Sequence, residues 1–574
     1  MIIPCIHNRS YRIVSDCREK VAEVNANLME ATFETLKTNQ NYWLNIPVYL
    51  NDATDSYWRL ISSFGDLEKA NRESTAEATQ DALKAGQLFL LGILVYLHDF
   101  MIPYWTATNA FTALEKKKLV QTPPLETALD YLELLQFNLQ VAEKGLTGSL
   151  KSMNDFSLRE VAKVLQAMTN TFFDREGFNL KDYNAAQARQ LDLLVYGYPE
   201  AIRAIKLQYG LHFDDGGYKK TAETDRFILY QVFPQDKRVK VRKGGKPIVI
   251  LPPYVLGPNI LALLPGEQKS YVHAYANHGI PTYIRVMKDI ETTPAVQVMT
   301  GEDDALDTRF FCERVMKMHG KAVTLNGFCQ GGFMAVIDIL SGELDGLVDA
   351  LITCVAPMDG TRSAALVEYM QHLPSRFRDL GYAIKDMPSG HRIVDGKVMS
   401  WVYKLKSMEK EFSFVTLYRD LMNLEGTEGK EVKISSTAAA MNHWLIYDRN
   451  DLPEGITKLS FDSYTIPVKK DGTLPVKLFG KKLNFKGIQE KGVKWLLCYA
   501  EKDDLVDQAA AVAPLDFVDA EVTVFPKGHG AIATSWSHPE TECALHKRFG
   551  PYRGPVRFQL DLEETSEAPK CLKV

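Results

Sequence analysis

Cysteine is scarce in this chain of 574 residues. The eight that occur, at positions 5, 17, 312, 329, 354, 498, 543 and 571, form no Cys-x-x-Cys pair. A structural zinc, a dithiol motif and a disulfide scaffold are therefore unsupported, and the scattered thiols fit a reducing cytoplasm. An excess of one charge is also missing. Lys+Arg 67 against Asp+Glu 72 leaves a net charge of -5, too weak a field to hold nucleic acid or anionic lipid. Met1-Ile2-Ile3-Pro4-Cys5-Ile6-His7 lacks a basic segment followed by a long apolar one, so no secretory signal is expected. The strongest apolar run, Leu88 to Leu97, has ten residues, whereas a membrane-crossing helix needs about 20. It is expected to be a buried helix, and no transmembrane segment is expected. Internal repeats and low-complexity tracts are absent.

A composition of 46% hydrophobic and 24% charged residues is that of an ordinary globular protein. Length alone suggests up to about four units, but the texture of the chain reduces them to two. Residues 1–225 read as helical. Leu125, Ala128, Leu129, Leu132, Leu135, Leu139 and Ala142 recur at helical spacing, with Pro123-Pro124 as a start and Gly145 as a stop. Ser157 to Glu160 has capping-box spacing before Val161, and Gln187 to Tyr196 is a further helical stretch. From about residue 226 to 555, β-rich runs alternate with helical patterns. The runs are 227–233, 248–251, 282–286, 322–325, 351–355, 495–499 and 521–525. Continuous apolar strands with helices between them predict an α/β fold with a mostly parallel sheet. Between about 360 and 485 the rhythm breaks, as for a cap inserted over the C-terminal edge of the sheet. Residues 556–574 read as a C-terminal tail.

One motif carries chemistry. Leu325-Asn326-Gly327-Phe328-Cys329-Gln330-Gly331-Gly332 follows a strand and opens a helical pattern. That is the setting of a G-x-S-x-G nucleophile elbow with Cys in place of Ser. The glycines let neighbouring backbones approach, and the helix N-terminus stabilises a thiolate. The Gln330 amide is placed as one oxyanion donor. Two partners follow in the order this architecture uses. Asp503 and Asp504 lie after the strand 495–499, and His529 lies after the strand 521–525. Asp503, nearer the strand end, is the expected acid; Asp504 is its competitor. The loop after Ile248–Leu251 has the second oxyanion position. Pro252 and Pro253 have no N–H, so Tyr254 or Val255 is expected to donate. Cys in this role favours exchange between thioesters at nearly balanced energy, hence acyl transfer over hydrolysis.

These residues resemble the poly(3-hydroxyalkanoate) synthase family over about residues 226–550. The likeness rests on Gly327-Phe328-Cys329-Gln330-Gly331-Gly332, on Ile248 to Pro253, on Asp503, on Gly528-His529 and on Leu474 to Leu483. It implies an α/β-hydrolase fold with a cap after a helical N-terminal domain. It also implies polymerisation of (R)-3-hydroxyacyl-CoA with release of coenzyme A, and a homodimer at a polyester granule surface. The catalytic set would be Cys329, Asp503 and His529, with no metal and no cofactor; hydroxyacyl-CoA is a substrate. The chain departs from the family after the acid, reading Asp503-Asp504-Leu505-Val506-Asp507 where synthases commonly have Asp-His-Ile-Val-Pro. Cys329-Gln330 and Ala356-Pro357-Met358-Asp359 are similar to intracellular polyhydroxybutyrate depolymerases. A depolymerase or thioesterase with the same triad is thus the alternative. A granule-binding protein on a decayed fold is a third reading, opposed by the intact triad.

Overall fold

The computed structural model describes residues 72–119, 121–173, 175–405, 407–424, 434–541 and 554–559. Cys5, Cys17, Cys543, Cys571 and most of the tail lie outside them. The chain divides into two compact units. One holds the residues up to 200 together with 373–382 and 401–434; the other holds 201–372, 383–400 and the residues from 435 onward. The stretch 360–485 is therefore shared between the units.

The first unit is helical. Its long elements are α1 (Arg72–Leu119), α2 (Pro124–Phe172) and α3 (Leu180–Asp192). Pro124 begins α2, where the missing N–H is no loss. The helix then runs through Gly145, which was expected to stop it. The reason is packing. A Cβ on Gly148 would lie 2.2 Å from the Glu409 carbonyl oxygen, and one on Gly145 would lie 3.1 Å from the Phe412 ring. These glycines admit a neighbouring backbone and do not end the helix. Ser157 consequently sits mid-helix and caps nothing. The true cap in this region is Asn179, which accepts from the Asp182 amide at 2.9 Å while Asp182 reaches back to the Asn179 amide. Leu88, Phe137, Val141, Leu191, Leu417 and Leu421 share the core of this unit.

The apolar run Leu88–Leu97 lies inside α1. Its helical surroundings change the reading of its length. Gln80–Lys118 is one helix long and apolar enough to cross a membrane, by length and composition only. Burial of the run is partial: Leu88 is buried while Leu90 and Leu94 are exposed.

The second unit is built on eight strands: β1 (Tyr218–Glu223), β2 (Phe227–Val232), β3 (Ile248–Leu251), β4 (Thr282–Met287), β5 (Val323–Phe328), β6 (Val348–Cys354), β7 (Lys494–Ala500) and β8 (Glu521–Phe525). Their order across the sheet is β1-β2-β4-β3-β5-β6-β7-β8. β2 is antiparallel to both neighbours, and the rest are parallel. Every residue of β3 and β5 is buried, as strands covered on both faces must be. β1 was hidden in the stretch read as helical. Its sequence, Tyr-Lys-Lys-Thr-Ala-Glu, is polar because it is an edge strand paired only to β2.

Helix α4 (Gly301–His319) starts at a Thr300–Asp303 capping box and ends at Gly320 with φ 66°. Helix α5 (Gln330–Ser341) starts directly after Cys329, so β5, the turn and α5 form one unbroken strand–elbow–helix. Leu474 to Leu483, part of the family likeness, lies in a hairpin of Thr473–Leu478 and Lys481–Asn484. With this strand order and this elbow, the second unit has the α/β-hydrolase fold.

Candidate active site

The elbow is a strained backbone held from all sides. Cys329 has φ 52° and ψ -124°, a conformation that costs a side-chain-bearing residue about 1–3 kcal/mol. Main-chain bonds hold it there. The Cys329 amide donates to the Cys354 carbonyl at 2.8 Å, and the Gly332 amide donates to the Cys329 carbonyl at 2.9 Å. Bare backbones make the turn possible. A Cβ on Gly327 would meet the Gly331 carbonyl oxygen at 2.3 Å, and a Cβ on Gly331 would meet the Leu251 carbonyl oxygen at 2.3 Å. The thiol therefore sits at the first turn of α5, whose opening amides have no intrahelical acceptor. Cys329 itself is buried, with 7% exposed.

His529 arrives on the turn after β8, and Asp503 on the turn after β7. Nδ1 of His529 lies 2.9 Å from Oδ2 of Asp503 and 3.1 Å from Oδ1. Asp503 is fixed in turn by the Leu505 and Val506 amides, each donating to Oδ1 at 2.9 Å. Asp504 is exposed, so of the two carboxylates the structure brings Asp503 to the histidine. The other ring nitrogen, Nε2, is buried without a conventional hydrogen bond. The Cys329 sulfur nevertheless acts on this ring electrostatically. Burial opposes a charge on His529, but Asp503 and Cys329 outweigh it and hold the pKa well above the usual imidazole value. The Phe328 ring packs edge-on against the imidazole at 5.9 Å between centroids.

The oxyanion loop differs from expectation in one respect. The Tyr254 amide is already used, donating to Oε1 of Gln330 at 3.3 Å. Val255 is bonded through its carbonyl to the Asn450 amide at 3.2 Å, and its own N–H has no acceptor among the described residues. Of the two loop amides expected as donors, the Tyr254 amide is thus bonded to the Gln330 side chain. Gln330 is more than a backbone donor, because its Nε2 also donates to the Ser460 hydroxyl on the helix Glu454–Thr465. One side chain ties the residue after the nucleophile to the loop after β3 and to a helix of the stretch expected to form the cap.

Tyr254 is anchored at its far end. Its phenol donates to Asp304, and Arg285 donates to the phenol at 3.2 Å. Arg285 and Asp304, 2% and 0% exposed in their side chains, pair at 2.8 Å. Arg285 also donates to the Thr308 hydroxyl at 2.6 Å. Asp338 joins through Thr308 at 2.9 Å; burial and the nearby Asp304 carboxylate push its pKa well above the usual carboxylate range. Trp444 is part of the same scaffold. Its indole N–H donates to the Leu256 carbonyl at 2.9 Å, and its ring lies under Arg449. In the largely exposed segment 237–243, Arg238 pairs with Asp236.

Sequence reasoning missed Arg285, Asp304, Asp338 and the reach of the Gln330 side chain. A signal existed for two of them. Arg285 interrupts an apolar strand, Thr-Tyr-Ile-Arg-Val-Met, and Asp338 interrupts an apolar helix. A charge in such a run must be paired or neutralised, so these residues point to one another. Ser460 carried no signal. Among the described residues no group of three or more His, Cys, Asp or Glu could hold a metal ion.

No family model matches the chain, and no curated protein matches it. Solved structures similar in part include a carboxylesterase from the thaumarchaeon Nitrososphaera gargenis, at 14% identity and TM-score 0.32, covering 55% of this chain and 92% of that one. The carboxylesterase CesB of Bacillus subtilis is 10% identical with TM-score 0.30, covering 59% and 92%. A meta-cleavage product hydrolase of Pseudomonas fluorescens is 13% identical with TM-score 0.27, covering 53% and 88%. The assignment of the fold stands on the strand order and the elbow described above.

Proposed function

We propose that the protein is an acyltransferase that polymerises (R)-3-hydroxyacyl-CoA and releases coenzyme A through an acyl-Cys329 intermediate. The observation that carries this reading is a thiol on the strained elbow beside a carboxylate-bound histidine. His529 takes the Cys329 proton, and the thiolate attacks the thioester carbonyl. The oxyanion accepts from the Gln330 and Val255 amides. His529 returns the proton to the departing thiolate of coenzyme A. The hydroxyl of a second acyl unit, deprotonated by His529, then attacks the acyl-cysteine, forming an ester and regenerating the thiol. Asp503 keeps the imidazole oriented and favours its charged form.

A second reading, hydrolysis of polyester or thioester by the same groups, draws on Cys329-Gln330 and Ala356 to Asp359. One assay separates them. Purified protein is given 3-hydroxybutyryl-CoA while free thiol and insoluble polymer are followed together. Thiol with polymer is the expected result. Thiol without polymer makes the protein a thioesterase. Monomer released from native granules, with no thiol from the thioester, makes it a depolymerase.

A further inference from the structure

Two buried carboxyl groups stand beside a single guanidinium next to the loop after β3. Asp304 lies on α4 and Asp338 on α5, the helix that opens after Cys329, and both are 0% exposed. Arg285 of β4 pairs with Asp304 at 2.8 Å. It meets Asp338 through the Thr308 hydroxyl, which accepts from Arg285 at 2.6 Å and donates to Oδ2 of Asp338 at 2.9 Å. The neighbouring groups do not alter this count. Asp303 and Asp307 on α4 share Arg226, at 3.3 and 2.7 Å. Cys312 on the same helix is a thiol whose pKa burial pushes up to about 12. Ionising both Asp304 and Asp338 would therefore bury a net negative charge, which a water-free interior opposes. Each carboxyl also has one buried oxygen with no donor, Oδ2 on Asp304 and Oδ1 on Asp338. The two groups are in hydrogen-bonding contact with each other. One proton between them satisfies both oxygens and makes the cluster neutral, as carboxyls that share a site cannot both ionise.

The phenol of Tyr254 fastens the loop to this pair. It donates to Asp304, which can accept because it keeps its charge while Asp338 carries the proton. The other ties of the loop are to its backbone. The Tyr254 amide donates to Gln330, the Tyr254 carbonyl accepts from Nδ2 of Asn450 at 3.1 Å, and the Val255 carbonyl accepts from the Asn450 amide. The phenol alone among these bonds runs to α4 and, through Arg285, to the sheet. A cavity lined by Phe227, Pro253, Tyr254, Arg285, Met287 and Asn450 lies on this side of the loop, so a released loop has space to enter. A shift of about 1 Å in a group that meets the reacting carbonyl costs on the order of 100-fold in rate.

We infer that Asp304 and Asp338 share one proton and act, through the Tyr254 phenol, as positioning residues for the loop after β3. The effect on turnover rests on the acyl-Cys329 reading given above; the shared proton and the tether do not. Three measurements on the full-length protein test the inference, with circular dichroism as the control for folding. Infrared difference spectra at neutral pH, wild type minus Asp338→Asn, show the C=O stretch of a protonated carboxyl that moves in D2O. Hydrogen–deuterium exchange of residues 252–258 is on the order of 10-fold faster in Tyr254→Phe, which keeps the ring and loses the bond. Asp338→Leu does the same, and Asp338→Asn, whose amide supplies the missing donor, restores slow exchange. In thiol release from 3-hydroxybutyryl-CoA, Tyr254→Phe lowers kcat about 10- to 100-fold with KM little changed. Asp338→Asn recovers most of what Asp338→Leu loses. Absence of the carboxyl band would overturn the shared proton, and with it the inference. Unchanged loop exchange or unchanged kcat in Tyr254→Phe would reduce the network to a merely structural one. If Asp338→Leu fails to fold, Tyr254→Phe and the infrared band decide. A wild type that releases no thiol would overturn the acyl-transfer reading instead, with the band and the loop exchange still deciding this one.

Discussion

The two units treat their apolar residues in opposite ways. In the sheet unit every residue of β3 and β5 is buried, and the strand ends are closed by glycines with no room for a methyl group. In the helical unit, α2 leaves a row of leucines outside while burying another row on its far side. The sheet unit buries the strands that carry the elbow completely. Among the described residues, the helical unit leaves the outer leucines of α2 exposed.

That contrast can be broken at its strongest point first. Cys329→Ala should lower acyl transfer by about four orders of magnitude or more with the protein still folded. Cys329→Ser should also be severely impaired. Retained turnover in Cys329→Ala would remove the elbow from the chemistry. Next in size is Gly331→Ala. Its methyl group would meet the Leu251 carbonyl oxygen at 2.3 Å, and a loss of about 3 kcal/mol or more is expected in chemical denaturation. An unchanged midpoint would mean that the turn is looser than described.

The sheet unit was legible from sequence because its strands are short, apolar and separated by helices, and because the elbow, the acid and the histidine fall at strand ends in a fixed order. Between Asp503 and Asp504, the position nearer the strand end favoured Asp503, and its burial and its bond to His529 agree. The second oxyanion amide was not legible, because it depends on where the Gln330 side chain turns. In the helical unit, periodicity gave α2 but misplaced its end. Gly145 reads the same way whether it stops a helix or admits a neighbour, and the difference lies in Phe412 and Glu409, more than 250 residues away.

Smaller effects sharpen the comparison. Gln330→Met keeps the backbone donor and removes the tie from Tyr254 to Ser460. A fall in kcat of about 10- to 100-fold is expected with the protein still folded, and Gln330→Glu should recover part of it through the Tyr254 amide. Equal activity in all three would reduce the side chain to filler. On α2, Leu134→Ala should cost about 2–4 kcal/mol. Leu132→Ala, two residues away on the open face, should stay within about 0.5 kcal/mol. Similar losses at both positions would erase the two-faced description.

The smallest effect is a slope with pH. His529 has a pKa raised above 6.5 in the folded chain. Its contribution to stability is then fully present below pH 6.5 and is lost as pH rises through the folded value. The lead of wild type over His529→Gln in thermal denaturation should therefore shrink from pH 6 toward alkaline pH. A lead that grows instead would mean that the Asp503 and Cys329 partners do not favour the charged ring.

The geometry at residue 329 is fixed by two main-chain hydrogen bonds and by the bareness of Gly327 and Gly331, with no bond from the sulfur itself. Exchange of that one atom for oxygen would leave the turn, the amides and the histidine where they are. The scaffold is accordingly neutral between thioester and oxygen-ester chemistry, and a lineage carrying it stands a single nucleotide change from a serine enzyme. Nothing in the backbone of the turn itself requires sulfur at this position.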